Sequence, residues 1–146
     1  MELYRISKKE HFQTIGSGGF YFSGRWHEAG LRVIYASQSR SLASLEFLAH
    51  LSKTAYMQHD YIMSTVELPS ELRFDEISID TLGYDWKNLK NIWQTRQLGS
   101  SFLRKKEFIA LKVPSAIVPG EYNFLINPEH KDFELCKLSD MRNLGG

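Results

Sequence analysis

Residues 32–51 read RVIYASQSRSLASLEFLAHL, and this stretch decides the fold class because it joins a strand pattern to a helix pattern. Its beginning is rich in β-branched and aromatic residues, which predicts a strand over residues 32–36. Ser39 or Ser41 can act as the N-cap of a helix over residues 42–51. A chain that passes directly from strand to helix indicates a domain in which both elements pack together.

The rest of the chain shows many short strand patterns and few helices. Residues 115–118 read as a continuation of the strand that begins at residue 109, and the region between residues 74 and 109 is less legible. The predicted strands cover residues 1–7, 20–26, 61–68, 109–118, 122–126 and 133–138, a helix covers residues 86–97, and a glycine loop covers residues 16–19. We therefore predict an α+β fold, a single compact domain over residues 1–146 with a mixed, mostly antiparallel sheet.

Composition and charge exclude several classes of protein. The 146 residues are 42% hydrophobic and carry a formal net charge of +1, which fits neither a disordered segment nor a nucleic-acid-binding surface. The short basic run at residues 104–106 is expected to be a solvated face. Because the chain has one cysteine, no signal-peptide pattern and no long apolar run, we expect no disulfide, no membrane span and a cytoplasmic location.

Glu46 is the first candidate for chemistry, because it lies in a segment that is apolar on nearly every side of a helical wheel. Such a helix is normally buried, and carboxylates are rarely buried without a partner. Glu46 therefore either lies in water, with His50 four residues later as a minor helical pair, or lies in a pocket with a cation or a hydroxyl. The pattern leaves both interpretations open.

Two arginines and a tyrosine are further candidates. Arg5 lies within the first predicted strand, either as an outward cation on an edge strand or as the lining of a ligand crevice. Arg25 follows Gly24 and either offers a planar fork to phosphate or carboxylate, or stacks on an aromatic side chain in an exposed loop. Tyr35 ends a core strand and would place its hydroxyl at a cleft, unless that hydroxyl is satisfied within the core.

Several familiar catalytic patterns are absent from the sequence. The glycine loop is not G-x-G-x-x-G, and a predicted strand rather than a helix follows it, so a Rossmann site is not expected. The five histidines show no metal-binding spacing, so we expect no metal. Ser115 lies outside a G-x-S-x-G elbow and would either donate one hydrogen bond to a ligand or satisfy a backbone group.

Six segments together resemble the RES domain family, the toxin half of bacterial Xre–RES toxin–antitoxin pairs. They occur in the family's order over nearly the whole chain, and the closing segment is the most specific. The six are Leu3-Tyr4-Arg5, Ser23-Gly24-Arg25-Trp26 with Gly30, Val33-Ile34-Tyr35-Ala36, Ser41-Leu42-Ala43-Ser44-Leu45-Glu46, Val113-Pro114-Ser115-Ala116-Ile117-Val118-Pro119 and Asn123-Phe124-Leu125-Ile126-Asn127-Pro128-Glu129-His130. The second segment commonly reads Gly-Gly-Arg-Trp-Asn in the family, whereas this chain has Ser23 and His27 at the flanking positions.

This resemblance implies an ADP-ribosyltransferase-like fold and an enzyme that consumes NAD as a substrate, with no resident cofactor. Family toxins cleave the nicotinamide–ribose bond, and some members ADP-ribosylate a protein target instead. The acceptor is left open among water, phosphate and a protein side chain. Carried onto this chain, the catalytic residues are Glu46, Tyr35 and Arg25, and the NAD-binding residues are Arg5, Arg25, Tyr35, Ser115 and Asn123.

The implied roles and partners follow from the same resemblance. Tyr35 would stack on nicotinamide, an arginine would hold the diphosphate, and Ser115 and Asn123 would bond the carboxamide or ribose. An Xre-type helix-turn-helix antitoxin would cover the cleft, with a possible toxin homodimer in that complex and no direct contact with nucleic acid or membrane. The alternatives are a transferase that modifies a specific protein and a non-catalytic binding module, which NAD would not stabilise.

Overall fold

The computed structural model describes residues 1–9, 22–51 and 60–143, and within them seven strands form one sheet. The strands are β1 Glu2–Lys8, β2 Ile34–Ser37, β3 Tyr61–Glu67, β4 Phe74–Glu76, β5 Ala110–Pro114, β6 Tyr122–Ile126 and β7 Lys137–Asn143. They lie in the order β4-β5-β6-β2-β1-β3-β7. The β4–β5 pair is parallel and every other neighbouring pair is antiparallel, which confirms the predicted α+β fold with a mixed, mostly antiparallel sheet.

Two α-helices accompany the sheet in the described residues, α1 Arg40–His50 and α2 Ile92–Lys105. Of the two predicted caps for α1, Ser39 is the one used, because its hydroxyl accepts a hydrogen bond from the Leu42 amide at 3.1 Å. Near the end of α2, the Asn127 side chain donates to the Leu103 carbonyl at 3.0 Å and satisfies a helix-end acceptor. Short 3-10 helices lie at Ile79–Thr81, Leu89–Asn91 and Phe133–Leu135.

The centre of the sheet is a short junction between two halves. Strand β1 pairs with β3 along its whole length, from Glu2 opposite Glu67 to Lys8 opposite Tyr61. On its other side, β1 pairs with β2 at one position, where Tyr4 lies opposite Ser37. The candidate site lies at this junction, lined by residues of both β1 and β2.

Hydrophobic side chains pack on both faces of the sheet, as alternation along β6 shows. Phe124 and Ile126 belong to a cluster with Leu3 of β1, whereas Leu125 between them belongs to a second cluster with Trp26. Residues of α2 close the second cluster against the sheet, among them Phe102 and Leu103. The second half of β6 is therefore buried on both sides, which explains its continuous apolar sequence Phe124-Leu125-Ile126.

Four predicted elements differ from the structure, and two of these errors concern loops near the site. Residues 22–26 form a bent, irregular loop rather than a strand, and within it the Gly24 amide donates to the His27 carbonyl at 3.0 Å. Residues 20–21 of the predicted strand lie outside the described residues. Residues 115–118 do not continue β5, because the Ser115 hydroxyl accepts hydrogen bonds from the Ile117 and Val118 amides and turns the chain.

The other two errors displace an element along the chain. The helix predicted over residues 86–97 begins only at Ile92, because Asn88 caps a 3-10 turn that precedes it, and it continues to Lys105 past Gly99. The strand predicted over residues 133–138 begins at Lys137, after a 3-10 helix. Strands predicted at 1–7, 32–36, 61–68 and 122–126 are confirmed to within two residues, and the glycine loop at 16–19 lies outside the described residues.

Candidate active site

A cavity of about 760 Å³ lies where α1, β1, β2 and the loop at residues 23–26 meet, a size typical of small-molecule sites. Five of the six site residues that the sequence singled out line it, namely Arg5, Arg25, Tyr35, Glu46 and Asn123. The sixth, Ser115, is only 2% exposed and does not line the cavity. The residues come from five separate segments of the chain, which the sheet brings together.

One face of α1 forms a wall of the cavity. Ala43, Glu46, Phe47 and His50 line it, at the spacing of residues that share one face of a helix. The expectation that α1 is buried on nearly every side is wrong, since Leu45 and Leu48 are 48% and 61% exposed. Glu46 itself lines the cavity and has a hydroxyl and an amide as partners, so it lies in a pocket and not in open water.

Both protein donors to Glu46 reach the same carboxylate oxygen. The Ser115 hydroxyl donates to Oε1 at 2.7 Å, and the Asn123 side-chain amide donates to Oε1 at 2.8 Å. The Ser37 hydroxyl in turn donates to the Asn123 carbonyl oxygen at 2.6 Å, which fixes the orientation of that amide. Within the part of the chain that the structure describes, no group donates to Oε2. Glu46 is thus held by one oxygen and offers the other to a ligand.

Ser115 holds Glu46 in place and does not itself line the cavity in which contact with NAD is expected. Its oxygen accepts two backbone hydrogen bonds from the turn that follows β5, at 3.1 and 3.0 Å from the amides of Ile117 and Val118. With these acceptor positions used, the hydroxyl hydrogen is directed to Glu46.

Arg5 lines the cavity, and no carboxylate of the described residues pairs with its guanidinium. Because β1 lies between β2 and β3, Arg5 is not on an edge strand, and that interpretation is wrong. Its Nη1 is buried and has no hydrogen-bond partner among the described residues. Burial lowers the pKa of the guanidinium, although arginine stays charged at neutral pH. A buried donor of this kind is available to an anionic ligand.

Arg25 lines the cavity and contacts the segment around Trp86 and Lys87. Its Nη2 donates to the Lys87 carbonyl at 3.4 Å, and its guanidinium lies 5.8 Å from the centre of the Trp86 ring. Its Nη1 is buried and, among the described residues, has no partner. Burial lowers the pKa of Arg25, the charge of Glu46 opposes this effect, and the nearby Arg96 adds to it. Both arginines therefore line the cavity, and each has one buried nitrogen with no partner among the described residues.

Tyr35 lines the cavity, but its hydroxyl is already used. The oxygen accepts a hydrogen bond from the Trp26 amide at 3.2 Å and lies 2.7 Å from Nδ1 of His27. Burial raises the pKa of the phenol above its ordinary value, so Tyr35 stays neutral. The expectation that this hydroxyl reaches into the cleft is wrong, because it supports the loop that carries Arg25.

Sequence reasoning missed three residues that shape the site. Ser37 follows Tyr35 by two positions on the same face of β2, and strand periodicity could have identified it. His27, noted only as a departure from the family pattern, is the partner of Tyr35. Arg96 donates from Nε to the Gly24 carbonyl at 2.8 Å, a contact between distant segments that no local pattern indicates.

Two negative findings apply to the described ranges alone. No cluster of three or more histidine, cysteine, aspartate or glutamate side chains there has a geometry that could hold a metal ion. None of the helices in those ranges has the length and apolar content needed to cross a membrane.

Comparison with known proteins places the chain among similar sequences and structures. A family model described as the RES domain matches residues 2–143. The chain is 36% identical over 135 residues to a Photorhabdus laumondii protein named Toxin Res, a match that covers 91% of this chain and 85% of that protein. It is 34% identical over 134 residues to a Sphingobium protein named Prs ADP-ribosylating toxin, covering 87% and 80%.

A similar fold occurs in a solved structure of low sequence identity. A chain of the crystal structure of the Mycobacterium tuberculosis MbcT–MbcA toxin–antitoxin complex matches with a TM-score of 0.79 at 16% identity. The match covers 98% of this chain and 83% of that chain. The two chains therefore share a fold.

Replacing Tyr35 with phenylalanine tests whether its hydroxyl supports the loop. The Tyr35→Phe variant leaves the Trp26 amide without its acceptor, so we expect the free energy of unfolding to fall by about 1–3 kcal/mol. Urea unfolding measures this change. The matched control is Tyr84→Phe at a fully exposed tyrosine, which should change stability by less than about 0.5 kcal/mol. Equal effects of the two substitutions would show that the hydroxyl contributes nothing.

Proposed function

The chain belongs to the RES domain family, and we propose that it is a toxin enzyme that cleaves the nicotinamide–ribose bond of NAD. The observation that carries the proposal is the Glu46 carboxylate, which the described residues bond at Oε1 and not at Oε2, in a cavity that Arg5 and Arg25 also line. Under this proposal, NAD is the consumed substrate and not a resident cofactor.

The proposed reaction needs a negative charge beside the sugar. The bond between ribose C1′ and the nicotinamide nitrogen breaks, and its electron pair leaves with nicotinamide. The ribose carbon then resembles an oxocarbenium ion, as in glycoside cleavage. A carboxylate fixed in advance stabilises this charge more strongly in a partly buried site than in water. In our proposal Glu46 supplies that charge through Oε2, and water supplies the hydroxide that completes hydrolysis while its proton passes to solvent.

The two arginines suit the diphosphate of NAD. Arginine presents N–H donors in a planar fork that matches phosphate oxygens, and such charge-assisted hydrogen bonds are about twice as strong as neutral ones. Arg5 and Arg25 each have one buried nitrogen with no partner in the described residues. An anion that bonded both would relieve the unfavourable burial of two cations. We propose that the diphosphate binds there and that the ring of Tyr35 lies against nicotinamide.

The name of one relative favours a second candidate function. The Photorhabdus relative is named a toxin without a stated reaction, whereas the Sphingobium relative is named an ADP-ribosylating toxin. The second candidate function is therefore transfer of ADP-ribose to a specific protein, by the same bond cleavage with a protein side chain as acceptor. Glu46 would stabilise the same oxocarbenium-like state in both reactions.

We also propose that an antitoxin neutralises the enzyme by covering the cavity. Support comes from the structural neighbour, which was solved as a toxin–antitoxin complex. We further propose that the antitoxin of this chain is of the Xre type and that the toxin forms a homodimer within the complex. The proposed location of the complex is the cytoplasm.

A charge-neutral substitution at Glu46 tests the proposed function. Glutamine can keep Oε1 as the acceptor for Ser115 and Asn123, so Glu46→Gln removes the charge with little change in packing. We expect nicotinamide release from NAD by the purified protein to fall by about 100-fold or more, the usual effect of removing a fixed electrostatic group. The matched control, Glu71→Gln, alters an exposed carboxylate and should retain full activity.

The outcome of this experiment separates the candidates. Nicotinamide release by the parent chain with no label transfer from radiolabelled NAD to lysate proteins supports NAD cleavage, whereas transfer to one protein supports the second candidate. Parent activity that equals that of Glu46→Gln would contradict the role of Glu46. A parent chain that neither cleaves NAD nor gains thermal stability from it would favour the non-catalytic module.

We expect Arg5 to lower the stability of the folded chain and to strengthen the binding of NAD. Arg5→Met keeps most of the aliphatic volume and removes a cation whose Nη1 is buried and unpaired, so we expect the melting temperature to stay equal or rise. NAD affinity should fall by about tenfold or more, because hydrogen bonds to charged groups are worth about 1.5–3 kcal/mol. Thermal melts with and without NAD measure both effects. Arg104→Met at an exposed arginine is the control, and a lower melting temperature specific to Arg5→Met would contradict the account.

A further inference from the structure

Side chains on two successive turns of helix α2 bond the loop that carries Arg25. The Thr95 hydroxyl donates to the Arg25 carbonyl at 2.6 Å, and Arg96 Nε donates to the Gly24 carbonyl at 2.8 Å. One turn further along, the Ser100 hydroxyl accepts from the Glu28 amide at 3.0 Å. Three polar side chains on one helix therefore bond three backbone groups of the same short loop.

Gly99 completes this contact surface, because it lets the helix approach the loop closely. A Cβ at Gly99 would overlap the carbonyl oxygen of Trp26, so a larger side chain would force the helix and the loop apart. Thr95 and Gly99 are separated by four positions, as are Arg96 and Ser100, which places all four toward the same side of α2. We call these four residues the α2 rail.

The rail fixes the two peptide groups on either side of the Arg25 Cα. The peptide before it is held at the Gly24 carbonyl by Arg96. The peptide after it is held at the Arg25 carbonyl by Thr95 and at the Trp26 amide by the Tyr35 hydroxyl. Because both peptide planes are fixed, the direction of the Arg25 side chain from the backbone is fixed as well.

We propose that Thr95, Arg96, Gly99 and Ser100 are positioning residues for Arg25 in NAD binding, an inference that rests on the proposed function. None of the four lines the cavity, so they act through Arg25 and not on the ligand. Binding groups must be held within a fraction of an ångström of the productive geometry, and an arginine on an unsupported loop would not be. Arg96 also repels Arg25, which lowers the pKa of Arg25, so its contribution here is the hydrogen bond and not the charge.

Thr95 allows the cleanest test, because valine matches its shape and lacks only the hydroxyl. In a Glu46→Gln chain, which should consume NAD about 100-fold more slowly, we expect Thr95→Val to weaken NAD binding about fivefold by calorimetry, the equivalent of one neutral hydrogen bond. With Glu46 intact, KM should rise while kcat stays nearly constant, as for a group that binds ground and transition states equally. Hydrogen exchange of the Trp26 amide should become faster.

Two matched variants provide the controls. Thr95→Ser keeps the hydroxyl and should restore NAD affinity to within about twofold of the parent. Thr81→Val removes a similar hydroxyl that bonds the Ser78 carbonyl at 2.7 Å on an exposed 3-10 helix, and it should change neither affinity nor exchange. Should Thr95→Val fail to fold, Arg96→Lys is the second variant, because it keeps the charge and loses the Nε donor, and its NAD affinity should fall as well.

Different results would contradict the positioning role of the α2 rail and the proposed activity on NAD. Unchanged NAD affinity in Thr95→Val, or in Arg96→Lys where that variant is used, would overturn the positioning role and leave the proposed function intact. If the parent chain itself does not bind NAD, the proposed function fails. Exchange of the Trp26 amide still tests the rail in that case: faster exchange in Thr95→Val than in Thr95→Ser supports it, and equal exchange overturns it.

Discussion

The carboxylate of Glu46, held by one oxygen, is the constraint on which the site depends. Both donors lie far from Glu46 in the chain, Ser115 by 69 positions and Asn123 by 77. The pairing of β2 with β6 sets Asn123 directly opposite Ser37, which in turn orients the amide. The sheet register therefore determines which carboxylate oxygen is occupied and which is open.

The second feature of the cavity is the unfavourable burial of two positively charged arginine side chains in the ligand-free chain. Arg5 and Arg25 both have buried nitrogens that no described residue bonds, and burial lowers the pKa of each. Buried unpaired donors reduce the stability of a fold and are found where a ligand completes the hydrogen bonding. The rail on α2 and the hydroxyl of Tyr35 maintain this arrangement by fixing the loop around Arg25.

Local patterns predicted most strands and the N-terminal cap of α1, because strand alternation and capping depend on neighbouring residues. They failed at residues 22–26 because side chains of other elements, Arg96 of α2 and Tyr35 of β2, bond that backbone. Residues 115–118 turn through a local contact, the Ser115 hydroxyl, which the apolar strand pattern of this segment does not indicate. The end of α2 was missed for a related reason, since Gly99 resembles a helix stop but serves a close approach to Trp26.

Site residues were predictable as a set but not in their contacts. The resemblance to the RES domain family supplied Arg5, Arg25, Tyr35, Glu46 and Asn123, all of which line the cavity. It did not show that Ser115 and Asn123 share one oxygen of Glu46, or that Tyr35 supports a loop. Those contacts depend on three-dimensional register, which neither periodicity nor motif order contains.

A crystal structure of the Glu46→Gln chain with NAD would show directly whether Glu46 faces the reacting sugar. We expect the nicotinamide ribose to lie within hydrogen-bond distance, about 3 Å, of the side chain at position 46, with the diphosphate against Arg5 and Arg25. NAD bound outside this cavity, or bound within it with the ribose beyond reach of position 46, would show that Glu46 does not have the proposed role.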